Sequence, residues 1–248
     1  MPRKPRVQFQ GAFYHVTSRG TAKQPIFLCD GDRSDFLRIL AEVVNRFSWV
    51  CYAYCLMGNH YHLLIETLQP SLSEGMHALN SEYCNSFNRK YGRVGHVLQG
   101  RYDSPLVEDE SHLLELTRYI VLNPVHSGVT QKPEEWRWSS FRSMIGLAPV
   151  PSFLEISFIL GLFSNDSEKG RGAYVTFVEE GLTECNLVDP KDRIPLRELF
   201  KGVKDRNQRN EAICTAHTEH GYTLKEIAAY LQVSSSTVSR AKKQWNDT

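Results

Sequence analysis

Among its six cysteines (Cys29, Cys51, Cys55, Cys84, Cys185 and Cys214) this 248-residue chain has no Cys-x-x-Cys pair. Ligand-spaced cysteines that would argue for a zinc site are missing. Several of the six fall inside apolar patterns and read as reduced, buried thiols. No apolar run reaches the length of a bilayer span, and Met1-Pro2-Arg3-Lys4-Pro5-Arg6 lacks the apolar stretch of a signal peptide. A soluble, cytoplasmic protein is the expectation. A basic excess is lacking too, because the net charge is only +1, so any nucleic-acid surface has to be local. With 41% hydrophobic residues, the chain can bury one good core and a second, smaller one.

What is present begins with Gly58-Asn59-His60-Tyr61-His62-Leu63-Leu64-Ile65-Glu66, two histidines two residues apart in a run that reads as a buried strand. Residues i and i+2 of a strand share a face, about 6.6 Å apart along the chain. Two imidazoles aimed at one spot can share a metal ion, while Tyr61 and Leu63 face the other way into packing. The bland alternative is an apolar strand whose histidines are structural.

A second element follows some sixty residues later, from Leu113 to Asn123, ahead of Pro124. At about 100° per residue, Leu113, Leu116, Thr117, Ile120 and Val121 fall on one side of a helix. His112, Glu115, Tyr119 and Asn123 form a separate polar arc. Tyr119 and Asn123 are one turn apart on the same face. Ser111 or Asp109 is expected to cap the start, and Pro124 to end the helix at Asn123. A phenol beside a carboxamide is an odd choice for a solvated face. It makes sense if the hydroxyl is a nucleophile and the amide oxygen a third ligand to a metal held by His60 and His62. A phenol of pKa about 10 is a poor nucleophile at neutral pH. A divalent cation can polarise a scissile phosphate and stabilise charge developing on its oxygens, and attack by Tyr119 would give a covalent phosphotyrosine. Two imidazoles and an amide with open positions suit Mg²⁺ or Mn²⁺ better than a closed zinc site.

These two elements resemble the HUH-type single-strand DNA nucleases in their single-tyrosine transposase branch. Further phrases carry the resemblance: Phe13-Tyr14-His15-Val16-Thr17-Ser18-Arg19-Gly20, Cys55-Leu56-Met57-Gly58-Asn59-His60, Gln99-Gly100-Arg101-Tyr102, Arg118-Tyr119-Ile120 with Leu122-Asn123-Pro124-Val125, and Trp136-Arg137-Trp138-Ser139-Ser140-Phe141. Over residues 8 to 145 the chain is similar to the REP-associated tyrosine transposases. The resemblance implies His60 and His62 as metal ligands, Tyr119 as nucleophile and Asn123 as the amide ligand, where many compact transposases carry Gln. It also implies attachment of tyrosine to a 5′-phosphate with release of a 3′-hydroxyl, no nucleotide cofactor, and a single-stranded DNA hairpin as the partner. Compact relatives dimerise by exchanging the tyrosine helix. A monomer is expected here, because the longer carboxyl-terminal half could block a dimer face.

The pattern along the chain fits an α+β domain, a small antiparallel sheet with flanking helices in β-α-β-β-α-β-α order, and the resemblance implies the ferredoxin-like βαββαβ core of an HUH nuclease. Strands are expected over 11–19, 48–57 and 59–67, with Gly58-Asn59 as the turn. Helices are expected over 32–47 and 71–90, and an extended stretch over 97–108. The catalytic domain is expected to span 1–147 and a helical extension with linker 148–194. An all-α helix-turn-helix domain would occupy 195–248.

In that last segment Thr223 would cap a helix, Glu226 complete a capping box, and Ala228 let two helices cross closely. Ile227, Leu231, Val233 and Val238 would form a miniature core. Gln232 stands where a turn glycine is usual and must accept a strained backbone or a different turn. Ser235, Ser236, Ser239, Arg240 and Lys243 would face duplex DNA in its major groove, the plain alternative being a helical hairpin.

Arg3, Lys4 and Arg6 form a basic arm able to reach a hairpin stem, and Arg101 can grip a phosphate or serve a structural ion pair. His15 reads as a hydrogen-bonded core histidine more readily than a site residue, Glu66 as an edge-of-sheet surface carboxylate, and Trp136 and Trp138 as core. Tyr83, Tyr91 and Tyr102 are rival nucleophiles, but none has a polar partner one turn away. Two other functions stay open: a domesticated, non-cutting DNA-binding regulator with the same fold, and an unrelated metallohydrolase. The latter is weakened because His60-Tyr61-His62 lacks the Asp and His that follow two and three residues on in the commonest His-x-His hydrolase motif.

Overall fold

A computed structural model describes residues 8–185, 194–203, 205–218, 222, 224–234 and 237–241. The elements in chain order are β1 (Ala12–Arg19), α1 (Asp30–Arg46), β2 (Trp49–Leu56), β3 (His60–Thr67), α2 (Leu72–Tyr91), α3 (Glu110–His126), α4 (Phe141–Met144), α5 (Ser157–Gly161) and α6 (Ser167–Cys185), then α7 (Leu196–Leu199), α8 (Arg206–Thr218) and α9 (Leu224–Leu231). The chain divides into two units, Met1–Val178 and Glu179–Thr248. Residues 148–178 therefore belong to the first unit, where Leu154 bridges Cys51 on the free side of β2.

The first unit is built on a three-stranded antiparallel sheet in the order β1-β3-β2. The central strand β3 is buried on both faces, and alternation sorts its side chains. Tyr61, Leu63 and Ile65 are fully buried on one face, where the Tyr61 ring meets Phe36 of α1 at 4.7 Å and its hydroxyl donates to Asn80 of α2 at 2.6 Å. Phe36, Ile39, Leu40 and Val43 of α1 and Met76, Leu79, Tyr83 and Phe87 of α2 complete this core at helical spacing. Gly75 lets α2 close on the sheet, since a Cβ there would collide with the Trp49 ring. α3 packs against β2 and β3, so His62 lies under it.

Several expectations are corrected. The final strand of the βαββαβ pattern is a row of isolated bridges along β1, Gly20 to Leu98, Thr17 to Asp103 and Tyr14 to Leu106. Gly100 is left-handed at φ +61°, where the pairing slips by two residues. Pro105 accepts from the His15 N–H at 3.1 Å but has no N–H to return, so no continuous ladder forms. Pro124 does not end α3, which runs on to His126. Its missing donor and crowding ring would cost about 3 kcal/mol in a helix interior. Yet it sits one turn from the end, buried, and the Ser127 N–H still reaches Asn123 O at 3.0 Å.

Trp136 and Trp138 are half-buried rather than core. Arg33 lies 5.4 Å and 5.8 Å from their rings, Arg137 lies 4.9 Å from Trp138, and Asp30 accepts from the Trp138 indole at 2.9 Å. Those arginines already cover the indole faces. Cys51, Cys55 and Cys214 are buried free thiols, whereas Cys29 is exposed. Burial, outweighing the lowering effect of its Ala53 backbone contact, pushes the Cys51 thiol up to about 12.

The second unit has its own core of Ile213, Ala216, Ile227, Ala228, Val238 and Ala241, with Leu199, Phe200 and Leu231 packed around it. α8 supplies two of these residues, a helix not anticipated from the sequence. Val233 is exposed rather than buried. It follows a left-handed Gln232 at φ +55° that ends α9 in a Schellman turn: the Val233 N–H reaches Ala228 O at 3.0 Å and the Gln232 N–H reaches Ala229 O at 3.3 Å. The strained-backbone alternative for Gln232 is thus the one adopted. Gln232→Gly should stabilise this unit by about 1 kcal/mol, the usual cost of a left-handed non-glycine residue. A higher urea midpoint for its unfolding would register the gain, and an unchanged or lower midpoint would contradict it. Thr223, at the expected cap, lies outside the described residues.

Candidate active site

Register builds the site. Arg19 stands directly opposite His60 on β3, and Thr17 opposite His62. On β1 the alternation that turns Thr17 and Arg19 to this face turns His15 there too. The two histidines of β3 meet edge to face, ring centroids 5.0 Å apart at 83°. β3 therefore holds both imidazoles on the α3 side of the sheet.

α3 brings the third ligand candidate and the phenol. The Asp109 side chain caps it, accepting the His112 N–H at 2.8 Å, so the helix starts two turns before Tyr119. Asn123 is only 7% exposed, on the buried side rather than a solvated arc, and its Oδ1 lies 3.3 Å from His60 Nε2. Tyr119 presents its ring edge-on to His62 at 5.6 Å and to His15 at 5.9 Å. It is nevertheless 45% exposed. The preceding residue anchors the helix: the Arg118 guanidinium sits 4.5 Å over the Phe177 ring and bonds Glu115 at 2.6 Å.

The imidazoles are poor bases here. His62 is 6% exposed, and burial, then the nearby His15 and His60, push its pKa down to about 3. Burial, then His112, pushes His15 down to about 4. His60 is lowered as well, chiefly by burial, against the raising effect of its Asn123 contact. All three are neutral at physiological pH, so His60 and His62 can each offer a lone pair for ligation. His62 Nε2 is buried and has no hydrogen-bond partner among the described residues, an orphan in need of one. Among the described residues no group of three His, Cys, Asp or Glu can hold a metal. Two imidazoles with the Asn123 amide oxygen can, and the orphan nitrogen fits that role.

The comparisons bear on this geometry. Residues 8–123 match the family model described as transposase IS200 like. This segment belongs to the IS200-like transposase family. The transposase fold is matched by a solved REP-associated tyrosine transposase bound to a REP hairpin. The two share 16% identity and a TM-score of 0.51, over 63% of this chain and 93% of that one. Residues 213–248 match a homeodomain-like domain model, so the second unit carries a helix-turn-helix. No curated protein matches the sequence. No helix among the described residues is long and apolar enough to cross a membrane.

Within the transposase segment the other expected residues separate. His15 joins the site through a 2.9 Å bond to His62. Glu66 is no edge carboxylate: it lies half-buried on the central strand and accepts from the Tyr52 hydroxyl at 2.6 Å. Arg101 is exposed and makes no ion pair with a described residue, leaving it free to meet a phosphate. Of the rival tyrosines, Tyr83 donates to the Ile26 carbonyl and Tyr91 to Asp32. Tyr102 interacts with Tyr14 and Tyr61 on the other face of the sheet. Arg19 and Asn59 were not anticipated, although the period-two spacing of His15, Thr17 and Arg19 carries the signal for Arg19. Arg3, Lys4, Arg6, Ser235, Ser236 and Lys243 lie outside the described residues, whereas Ser239 and Arg240 are exposed beside the buried Val238.

Proposed function

We propose that the protein is a metal-dependent single-stranded DNA endonuclease and strand transferase that cuts at or near hairpin DNA through a 5′-phosphotyrosine. The observation that carries this reading is the meeting of Tyr119 with His62 and His15 beside the His60–Asn123 contact. A nucleophile, two neutral imidazoles and an amide oxygen thereby share one face of the sheet. A nucleophile that is 45% exposed suits a polymer substrate better than an enclosed metabolite would.

In this reading His60, His62 and Asn123 would hold Mg²⁺ or Mn²⁺. The donors are all uncharged, so a bound cation keeps its charge for the phosphate oxygens and for polarising the ester. Tyr119 Oη gives up its proton to solvent and attacks phosphorus. The new O–P bond forms as the bond to the 3′-oxygen breaks, and that oxygen takes up a proton to become the free 3′-hydroxyl. The edge-on His62 and His15 rings fix the phenol, so attack starts from an oriented group. Arg19, across from His60, and the free Arg101 steer the strand by phosphate contacts. Arg3, Lys4 and Arg6 add a basic arm for the hairpin. Ser235, Ser236, Ser239, Arg240 and Lys243 present the helix-turn-helix to duplex DNA. Because α3 of the same chain delivers Tyr119, the site needs no second copy, and a monomer is proposed.

Incubation with hairpin oligonucleotides drawn from the flanks of its own gene, with Mn²⁺, tests the function. The expected products are a nicked strand with a 3′-hydroxyl and a protein-linked 5′ end. Tight hairpin binding without cutting under any metal would instead favour a non-cutting regulator with the same fold.

A further inference from the structure

Two polar residues outside the ligand set touch the far nitrogens of the ligand histidines. His60 Nδ1 lies 2.7 Å from Asn59 Oδ1, and Asn59 Nδ2 is already used, donating to Lys23 O at 3.0 Å. The Asn59 oxygen therefore faces His60 as an acceptor, and His60 Nδ1 must carry the proton. Its Nε2 is then a lone pair, and it points at another acceptor, Asn123 Oδ1, at 3.3 Å. Two lone pairs face each other, a repulsive arrangement that a cation between them relieves.

At His62 the partner is His15, with Nε2 of His15 2.9 Å from Nδ1 of His62. Their planes differ by 18° while the centroids are 5.2 Å apart, so the rings meet edge to edge rather than stack. One proton lies in that bond. If His15 donated it, His62 would carry its own proton on Nε2 and be closed to ligation, whereas an Nε2 lone pair, orphaned among the described residues at about 1–3 kcal/mol, is satisfied as soon as a cation binds. If His62 donates it, Nε2 is a lone pair turned into the site.

We infer that Asn59 and His15 are positioning residues that hold His60 and His62 as Nδ1–H tautomers, presenting both Nε2 lone pairs to a divalent cation. This rests on the metal-binding reading of the histidine pair proposed above. Both partners are neutral, unlike the carboxylates that often occupy this outer position, so the imidazoles are oriented without adding negative charge where a polyanion must bind.

Mn²⁺ titration of the full chain, followed by the electron paramagnetic resonance of the free ion, provides the test. His15→Phe and Asn59→Ala should each weaken Mn²⁺ binding about 10–100-fold, the usual effect of losing such a partner. His15→Gln, whose amide oxygen accepts the same proton, should recover most of that loss. Long-range ¹⁵N spectra of the metal-free wild type should show Nδ1–H tautomers at His60 and His62, a signature that mere packing would not fix. Unchanged Mn²⁺ affinity in folded His15→Phe, with binding abolished in His62→Ala, would overturn the inference and leave the metal site standing. An Nε2–H tautomer at His62 would overturn it as well. Wild-type affinity in both His60→Ala and His62→Ala would remove the metal-site reading itself.

Discussion

Tyr119→Phe should abolish the covalent protein–DNA adduct, a loss of roughly 10³-fold or more as expected for removing a nucleophile, while hairpin affinity stays at the wild-type level. The substitution deletes one oxygen and little else. Tyr119 is nearly half exposed, and its hydroxyl makes no hydrogen bond to a described residue. A phenylalanine ring keeps the edge-on contacts with His62 and His15. Stability and the shape of the site should therefore survive, and denaturing gels with a labelled hairpin would separate chemistry from binding. An undiminished adduct would mean that another residue attacks. The structure narrows the alternatives, because the Tyr83 and Tyr91 hydroxyls are bound to Ile26 O and Asp32 on the α1–α2 side of the sheet.

His60→Ala combined with His62→Ala should remove Mn²⁺ binding and cleavage together. Polarisation of a phosphate by a cation is worth several kcal/mol, so at about 1.4 kcal/mol per decade the cutting rate falls at least about 10³-fold. His60→Ala is the cleaner single change, because His62 is almost wholly enclosed and its removal leaves a cavity as well as a missing ligand. Asn123→Ala should cost less than either histidine, since an amide oxygen is the weakest donor of the three. Hairpin binding should persist in all of these variants, carried by the arginines and the second unit. Metal-stimulated cutting that survives the double variant would locate the cation elsewhere.

Much of this site is legible in the sequence because its two parts follow strict periods. Alternation along His60, Tyr61 and His62 puts the imidazoles on one face, and the four-residue spacing of Tyr119 and Asn123 puts phenol and amide on another, whatever surrounds them. Long-range pairing is not legible in the same way. His15 looks like a core histidine until the register of β1 against β3 sets it diagonally from His62. Asn123 looks solvated until α3 docks on the sheet. Glu66 looks like an edge residue because strand order cannot be read from a chain in which the third strand is central.

Proline misleads twice in opposite directions. Pro105 interrupts an expected strand, whereas Pro124 fails to stop α3, because the first sits where a ladder donor is needed and the second where burial favours another turn. Gln232 is the converse case. The sequence points to a turn without its glycine, and the backbone takes the left-handed conformation regardless, with two carbonyls of α9 satisfied in return.

The most direct measurement is to trap the adduct on a hairpin substrate, trim the DNA with nuclease, digest with trypsin and map the modified peptide by mass spectrometry. A nucleotide 5′-phosphate on Tyr119, within the peptide running from Tyr119 to Arg137, and formed only when Mg²⁺ or Mn²⁺ is present, is the expected result. A nucleotide on Tyr91 or Tyr102, or efficient cutting with no modified tyrosine, would contradict a site built from His60, His62, Asn123 and Tyr119.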